Sequence, residues 1–206
     1  MLAASVVIAV AAVAAEPGLA QSLLAKLART PPVSTPFIEV SYRGGVLTRP
    51  LVVEGTLRWF GDDRLERVVT KPFTETAKAG NGELSVQRGD GEVHRVRLAR
   101  APQVGALLAG FRALLGGNLA TLEKDFTLAA EGGDARWVVT LTPRTATLRQ
   151  QLASIAIDGR GREPRCLTVT DANGDGSITL LGTMARAGLQ SVAPLQSALA
   201  ARCRNP

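Results

Sequence analysis

The chain has 206 residues, 46% of them hydrophobic and 20% charged, with a formal charge of +6. That size and composition suit one globular domain with a sizeable core and exclude an intrinsically unfolded chain. The positive balance favours anionic partners, but the cations are scattered and few aromatics stand among them, which argues against nucleic acid.

Met1–Ala15 (MLAASVVIAVAAVAA) has Ser5 as its only polar side chain. Such a stretch is short for a bilayer span and fits the apolar region of a secretory signal, although no Lys or Arg precedes it. Small residues at Ala15 and Ala20 give two candidate cleavage sites. The expected organisation is a signal peptide over 1–20, one domain over 21–184 and a C-terminal tail over 185–206. No cysteine lies near either cleavage site, so no lipid anchor through cysteine is expected there.

Gln21–Arg29 places Leu23, Leu24 and Leu27 at helical spacing, and Thr30-Pro31-Pro32 ends that helix. Phe37–Arg43 alternates as a strand, with Ile38, Val40 and Tyr42 on one face and Glu39 and Ser41 on the other. Leu51–Phe60 is the clearest strand: Val53, Leu57 and Trp59 face one way, Glu54, Thr56 and Arg58 the other. Gly55 within it suits a bulge or bend in a curved sheet. Arg64–Thr70, Phe73–Ala79, Glu83–Arg88 and Glu92–Leu98 continue the pattern, with Gly89-Asp90-Gly91 as a hairpin turn.

The period then changes. Pro102–Leu115 carries Val104, Leu107, Leu108, Phe111, Leu114 and Leu115 as an apolar stripe at helical spacing, with Arg112 its only charge. Strands resume at Phe126–Ala130, Arg136–Thr142, Ser154–Asp158, Cys166–Thr170 and Ser177–Leu181, with a short helix between them at Arg144–Leu152. The tail from Ala185 reads as partly helical or loose. About ten or eleven short strands, with one helix before them and another among them, define an α+β fold. Its antiparallel sheet is too long to stay flat and must curl or close.

Residue types suited to catalysis are sparse, and no catalytic residue, metal site or cofactor is expected. Asp171–Ser177 (DANGDGS) opens like a calcium loop, but Gly182 stands where the closing glutamate belongs and the intervening segment is strand-like. A hairpin turn of Asp, Asn and Gly is the favoured reading. His94 is the only histidine and has neither a metal-ligand set nor a triad motif around it. The paired glycines precede no phosphate-loop signature, and Asp62, Asp63 and Glu66 read as turn and solvated-face residues. Cys166 and Cys203 would be allowed to pair in an oxidising compartment; the sequence leaves a disulfide and two separate thiols both open. Trp59 and Trp137 stand in apolar alternating strands, as core or as the lining of a cavity.

Taken in order, the pieces LLAKLA, FIEVSY, LVVEGTLRWF, DDRLERVVTKP, the apolar helix, ARWVVTLTPR and VTDANGDGSITL resemble the LolA-type periplasmic lipoprotein carriers, over roughly Leu23–Leu181. The resemblance implies an incomplete, unclosed antiparallel β-barrel with helices lidding an apolar cavity, and no enzyme activity. It implies a monomeric periplasmic carrier that takes acyl chains of lipoproteins from an inner-membrane exporter to an outer-membrane acceptor. Acyl chains gain about 0.8 kcal/mol of membrane attachment per buried CH₂, so they need shielding in water.

Where the family places Arg-Pro and an aromatic after the long strand, this chain has Gly61-Asp62-Asp63-Arg64-Leu65. That departure leaves lipoprotein and other lipid cargo both open. Strand phase and the helix stripe name the expected lining: Leu57, Trp59, Leu65, Val69, Leu107, Phe111, Leu114, Trp137, Val139 and Leu141. The alternative is a non-carrying periplasmic interaction module of a membrane-associated export or biosynthesis system, its sheet packed solid and its basic surface docking a membrane complex.

Overall fold

In the computed structural model the described residues are 17–44, 47–101, 104–105, 108, 115–116, 119–189, 191 and 194–205. The expected signal core over Met1–Ala15 lies outside them. So does most of the apolar segment 102–115, although Val104, Gly105, Leu108 and Leu115 are helical.

Helix α1 (Pro17–Leu27) opens the described chain. Proline suits a first helical position, because the N–H it lacks would have no partner there. Six strands follow in sequence: β1 (Val33–Tyr42), β2 (Leu51–Trp59), β3 (Leu65–Lys71), β4 (Glu75–Gly80), β5 (Glu83–Arg88) and β6 (His94–Arg97). Helix α2 (Leu119–Asp125) leads into β7 (Phe126–Gly133) and β8 (Arg136–Pro143). The short helix α3 (Ala146–Arg149) precedes β9 (Leu152–Arg160), β10 (Glu163–Asp171) and β11 (Gly176–Leu181). Helices α4 (Thr183–Arg186) and α5 (Gln196–Arg204) end the chain.

The strands make one antiparallel sheet in the order β6-β5-β4-β3-β2-β1-β11-β10-β9-β8-β7. It consists of two meanders, β1–β6 and β7–β11, joined where the first strand pairs with the last, as in Val40↔Ile178. The free edges are β6 and β7, so the sheet is an incomplete barrel, open between two strands that are neighbours in sequence. Beside Gly55 the β2–β3 register shifts, giving the expected irregularity.

Each face carries its own apolar cluster. The inner face is covered by α1, whose Leu23, Leu24 and Leu27 pack with Phe37, Val53, Val69, Trp137, Val139, Leu141, Ile155 and Ile157. The outer face is covered by α4 and α5, whose Met184, Leu199 and Cys203 pack on Ile38, Val40, Cys166, Ile178 and Leu180. The apolar side of β1 therefore faces outward, and Glu39 lies on the inner side.

Cys166 and Cys203 form a disulfide that ties α5 to β10 across 37 residues of sequence. Closing a loop of that length contributes about 4 kcal/mol on the chain-entropy account. Directly opposite Cys166 stands Asp158, only 6% exposed. Its Oδ1 has no hydrogen-bond partner among the described residues. Burial pushes the Asp158 carboxyl above the ordinary carboxylate range, against the opposing pull of Arg204, Arg136 and Arg165.

Two glycines make the inner face possible. A Cβ on Gly159 would fall 2.0 Å from the Trp137 ring, and one on Gly55 would fall 2.9 Å from the ring of Phe37. Each aromatic lies across the glycine paired to it on the next strand, Trp137↔Gly159 and Phe37↔Gly55.

Candidate functional site: the inner face of the sheet

Alternation places Trp59, Leu57, Leu65, Val69, Trp137, Val139 and Leu141 on the inner face. Trp137, Val139 and Leu141 are all 0% exposed, and Val69 joins them in the cluster beneath α1. Leu57 is half-buried and packs against that cluster from its margin. Trp59 is buried, opposite the half-buried Leu65, and its Nε1 donates to the Asp62 carbonyl at 3.4 Å. Leu107, Phe111 and Leu114 lie outside the described residues.

Moving from β1 toward the β6 edge, the face opens. Leu84, Val86 and Ala77 are half-buried, and Val96 is 42% exposed. These residues continue the rows of Leu57 and Leu65 through the pairs Leu65↔Ala79, Ala79↔Leu84 and Leu84↔Val96. His94 continues the row of Val86 at the exposed edge.

One charged network interrupts this apolar surface. Arg67 Nη2 donates to Glu39 Oε1 and Arg67 Nη1 to Glu75 Oε1, both at 3.3 Å. The guanidinium stands 4.9 Å from the centroid of the Phe37 ring. Glu75 Oε2 accepts from Arg88 at 3.0 Å, and Arg88 in turn stands 4.7 Å from the Phe73 ring. Flat guanidiniums suit both roles, as a fork for carboxylates and a face for aromatics. Alternation with Leu65 and Val69 would have located Arg67 on this face; attention to apolar residues alone passed over it. Phe37, Ile155 and Ile157 are further inner-face residues that the sequence reading did not assign to the lining.

Two cavities lie away from this face. One of about 310 Å³ is lined by Tyr42, Arg43, Leu47, Arg49, Asp175 and Gln196. Another of about 230 Å³ lies among Ile38, Glu54, Thr56, Lys71 and Arg186. The DANGDGS segment forms the β10–β11 turn, where Asp171 N donates to the Asp175 carbonyl and Asp175 Oδ1 accepts from Gly44 N. Among the described residues no group of three or more His, Cys, Asp or Glu is placed to hold a metal.

The sheet is an open antiparallel barrel with a helix across a largely apolar inner face, interrupted by the Arg67 network. Over residues 11–205 the sequence matches the family described as outer membrane lipoprotein carrier protein LolA-like, and the chain belongs to that family. Members of the family are periplasmic carriers or binding proteins, not enzymes. No curated protein sequence matches the chain.

Among solved structures, it is similar to a LolA superfamily protein from Nitrosomonas europaea, with 14% identity and a TM-score of 0.44, covering 79% of this chain and 91% of that one. A DUF1329 family protein from Desulfovibrio piger gives 11% identity and a TM-score of 0.41, covering 81% and 91%. The MucA/MucB complex of Pseudomonas aeruginosa gives 12% identity and a TM-score of 0.40, covering 91% and 61%. No helix among the described residues is long and apolar enough to cross a membrane.

Proposed function

We propose that this protein is an exported periplasmic carrier that shields the acyl chains of a lipoprotein or a related lipid between the inner and outer membranes. The observation that carries the reading is the inner face itself. Its apolar rows run without a break in phase from the packed cluster under α1 to the half-buried Leu57, Leu65, Leu84 and Val86. An acyl chain on that surface would exchange water for apolar contact, at about 25 cal/mol per Å² buried. Within this reading the lining comprises Leu57, Trp59, Leu65, Val69, Leu107, Phe111, Leu114, Trp137, Val139 and Leu141. An inner-membrane donor and an outer-membrane acceptor complete the route.

Export would remove the signal, and cleavage after Ala15 fits the fold better than cleavage after Ala20. The latter would sever α1 at Ala20, which is buried in the inner cluster beside Leu23 and Leu24. N-terminal sequencing of the exported protein should therefore begin at Glu16.

The decisive experiment is mass spectrometry of the protein purified from the periplasm, with lipid extraction. A co-purifying acylated species should appear and should be lost in Leu57→Glu, which places a charge at a half-buried position. A protein that is lipid-free and refuses a fluorescent fatty acid would instead support the interaction module. The zero exposure of Trp137, Val139 and Leu141 is the observation that favours that second reading.

A further inference from the structure

Eight ion pairs occur among the described residues, and seven of them lie within β1–β6. The arginines at one end of the other half are different. Arg29, Arg136, Arg160, Arg162, Arg165 and Arg204 form no ion pair among the described residues.

A chain of contacts holds these six together. Arg29 donates to the Arg162 carbonyl, and Arg160 and Arg162 flank Gly161 in the β9–β10 turn. Gly161 N donates to the Asp134 carbonyl at 2.7 Å, which ties that turn to the β7–β8 turn and Arg136. Arg136 Nη1 donates to the Arg204 carbonyl at 3.2 Å, and Arg165 Nη1 to the Asn205 carbonyl at 3.1 Å. Arg136, Arg165 and Arg204 also share the buried Asp158 as the carboxylate their charges act upon. Burial, and then the charge of Arg162, depresses the Arg29 guanidinium below its ordinary value, with Glu163 opposing.

The local balance is strongly positive. Lys26 adds a seventh cation, paired to Asp134. Against these seven stand four carboxylates: Asp134 itself, the buried Asp158, Glu163, which accepts from Thr183 Oγ1 at 2.9 Å, and the exposed Glu131 on the same face as Arg136. The difference, seven cations less four carboxylates, is three charges of the chain's formal +6. Arg136, Arg160, Arg162 and Arg204 are exposed. Each guanidinium has five N–H donors, so those making one carbonyl contact keep most of their donors free. Planar donor forks of this kind match phosphate oxygens.

We infer that this arginine-rich end of the sheet, centred on the β9–β10 turn, docks the protein on the phosphate-bearing surface of an anionic lipid bilayer. The choice of a bilayer rests on the carrier reading, in which both donor and acceptor are held at membranes and the protein works beside their surfaces. Each arginine held near such a surface adds to the attraction, which fades within a Debye length.

The test is flotation of the full mature protein, without cargo, on phosphatidylglycerol–phosphatidylcholine vesicles and on pure phosphatidylcholine vesicles. Binding is expected to the first only, and loss at about 0.5 M salt. Arg160→Glu with Arg162→Glu should weaken it at least about tenfold. Arg95→Glu with Arg97→Glu on the β6 edge carries the same charge change and should leave most of the binding. All four positions are exposed, and a thermal melt of each variant checks folding. Absence of binding to the anionic vesicles overturns the inference, as does equal loss in both double variants. Capture by immobilised polyglutamate without vesicle binding also overturns it, in favour of an acidic protein partner. Lipid extraction of the same variants reads the carrier function separately, so failure of docking and failure of cargo binding are distinguishable.

Discussion

The two meanders of the sheet solve the same problem with different chemistry. In β7–β11 the inner face is a cluster of Trp137, Val139, Leu141, Ile155 and Ile157, closed over by α1. In β2–β6 the corresponding surface is buried at Val53, Trp59, Val69 and Ala79, half-buried to exposed beyond them, and crossed by the Glu39–Arg67–Glu75–Arg88 network. The first half draws its stability from area removed from water. The second relies more on ladders and ion pairs, most of them solvent-exposed and individually worth little. The two halves thus differ in how much of the inner face is sealed: the better-buried half is closed by α1, and the other leaves apolar surface partly exposed.

The sharpest challenge to that contrast is to truncate both halves alike. Trp137→Ala should cost about 3–5 kcal/mol of unfolding free energy, whereas Leu57→Ala should cost clearly less. Equal losses in urea denaturation would erase the difference between the halves. Reduction of Cys166–Cys203, or Cys203→Ser, should cost about 2–4 kcal/mol. Because that bridge lies on the outer face, fatty-acid uptake by the surviving folded protein should be unchanged.

A smaller effect is expected at the polar network. Arg67→Met leaves two half-buried carboxylates without their shared partner and should cost about 1–3 kcal/mol. Smallest is Asp158→Asn, and its sign is opposite. A carboxyl whose folded-state value is raised by burial favours the folded state when protonated, so its penalty grows as pH rises through the unfolded value. The variant should therefore melt at a higher temperature than the parent at pH 7 and match it near pH 3.

Much of this architecture was legible in the chain. Alternation located the eleven strands to within a few residues, with Glu83–Arg88 matching at both ends, and Gly89-Asp90-Gly91 marked its turn. The seven described residues expected on the lining do share one face. Other features depended on distant partners. Alternation in β1 separates Ile38 and Val40 from Glu39, but cannot reveal that the apolar side meets α4 and α5 rather than the interior. Helix α2 has only seven residues, too few for a readable period, although Leu122 is buried. The disulfide required the fold itself, which brings Cys203 onto β10. The arginine cluster was invisible because its members are spread from position 29 to 204 and meet only through turns.

The pairing of β1 with β11 has a consequence for how the molecule is made. Each meander contains mostly local contacts and can form early, but the seam between them needs Ile178 and Leu180, which lie far along the chain from their partners Val40 and Ile38. Loop closure over such a separation is slow compared with hairpin formation. A nascent chain thus stays unsealed along its centre until β11 has been made. That delay would leave the chain threadable, and its final closure would occur wherever the whole polypeptide first comes together.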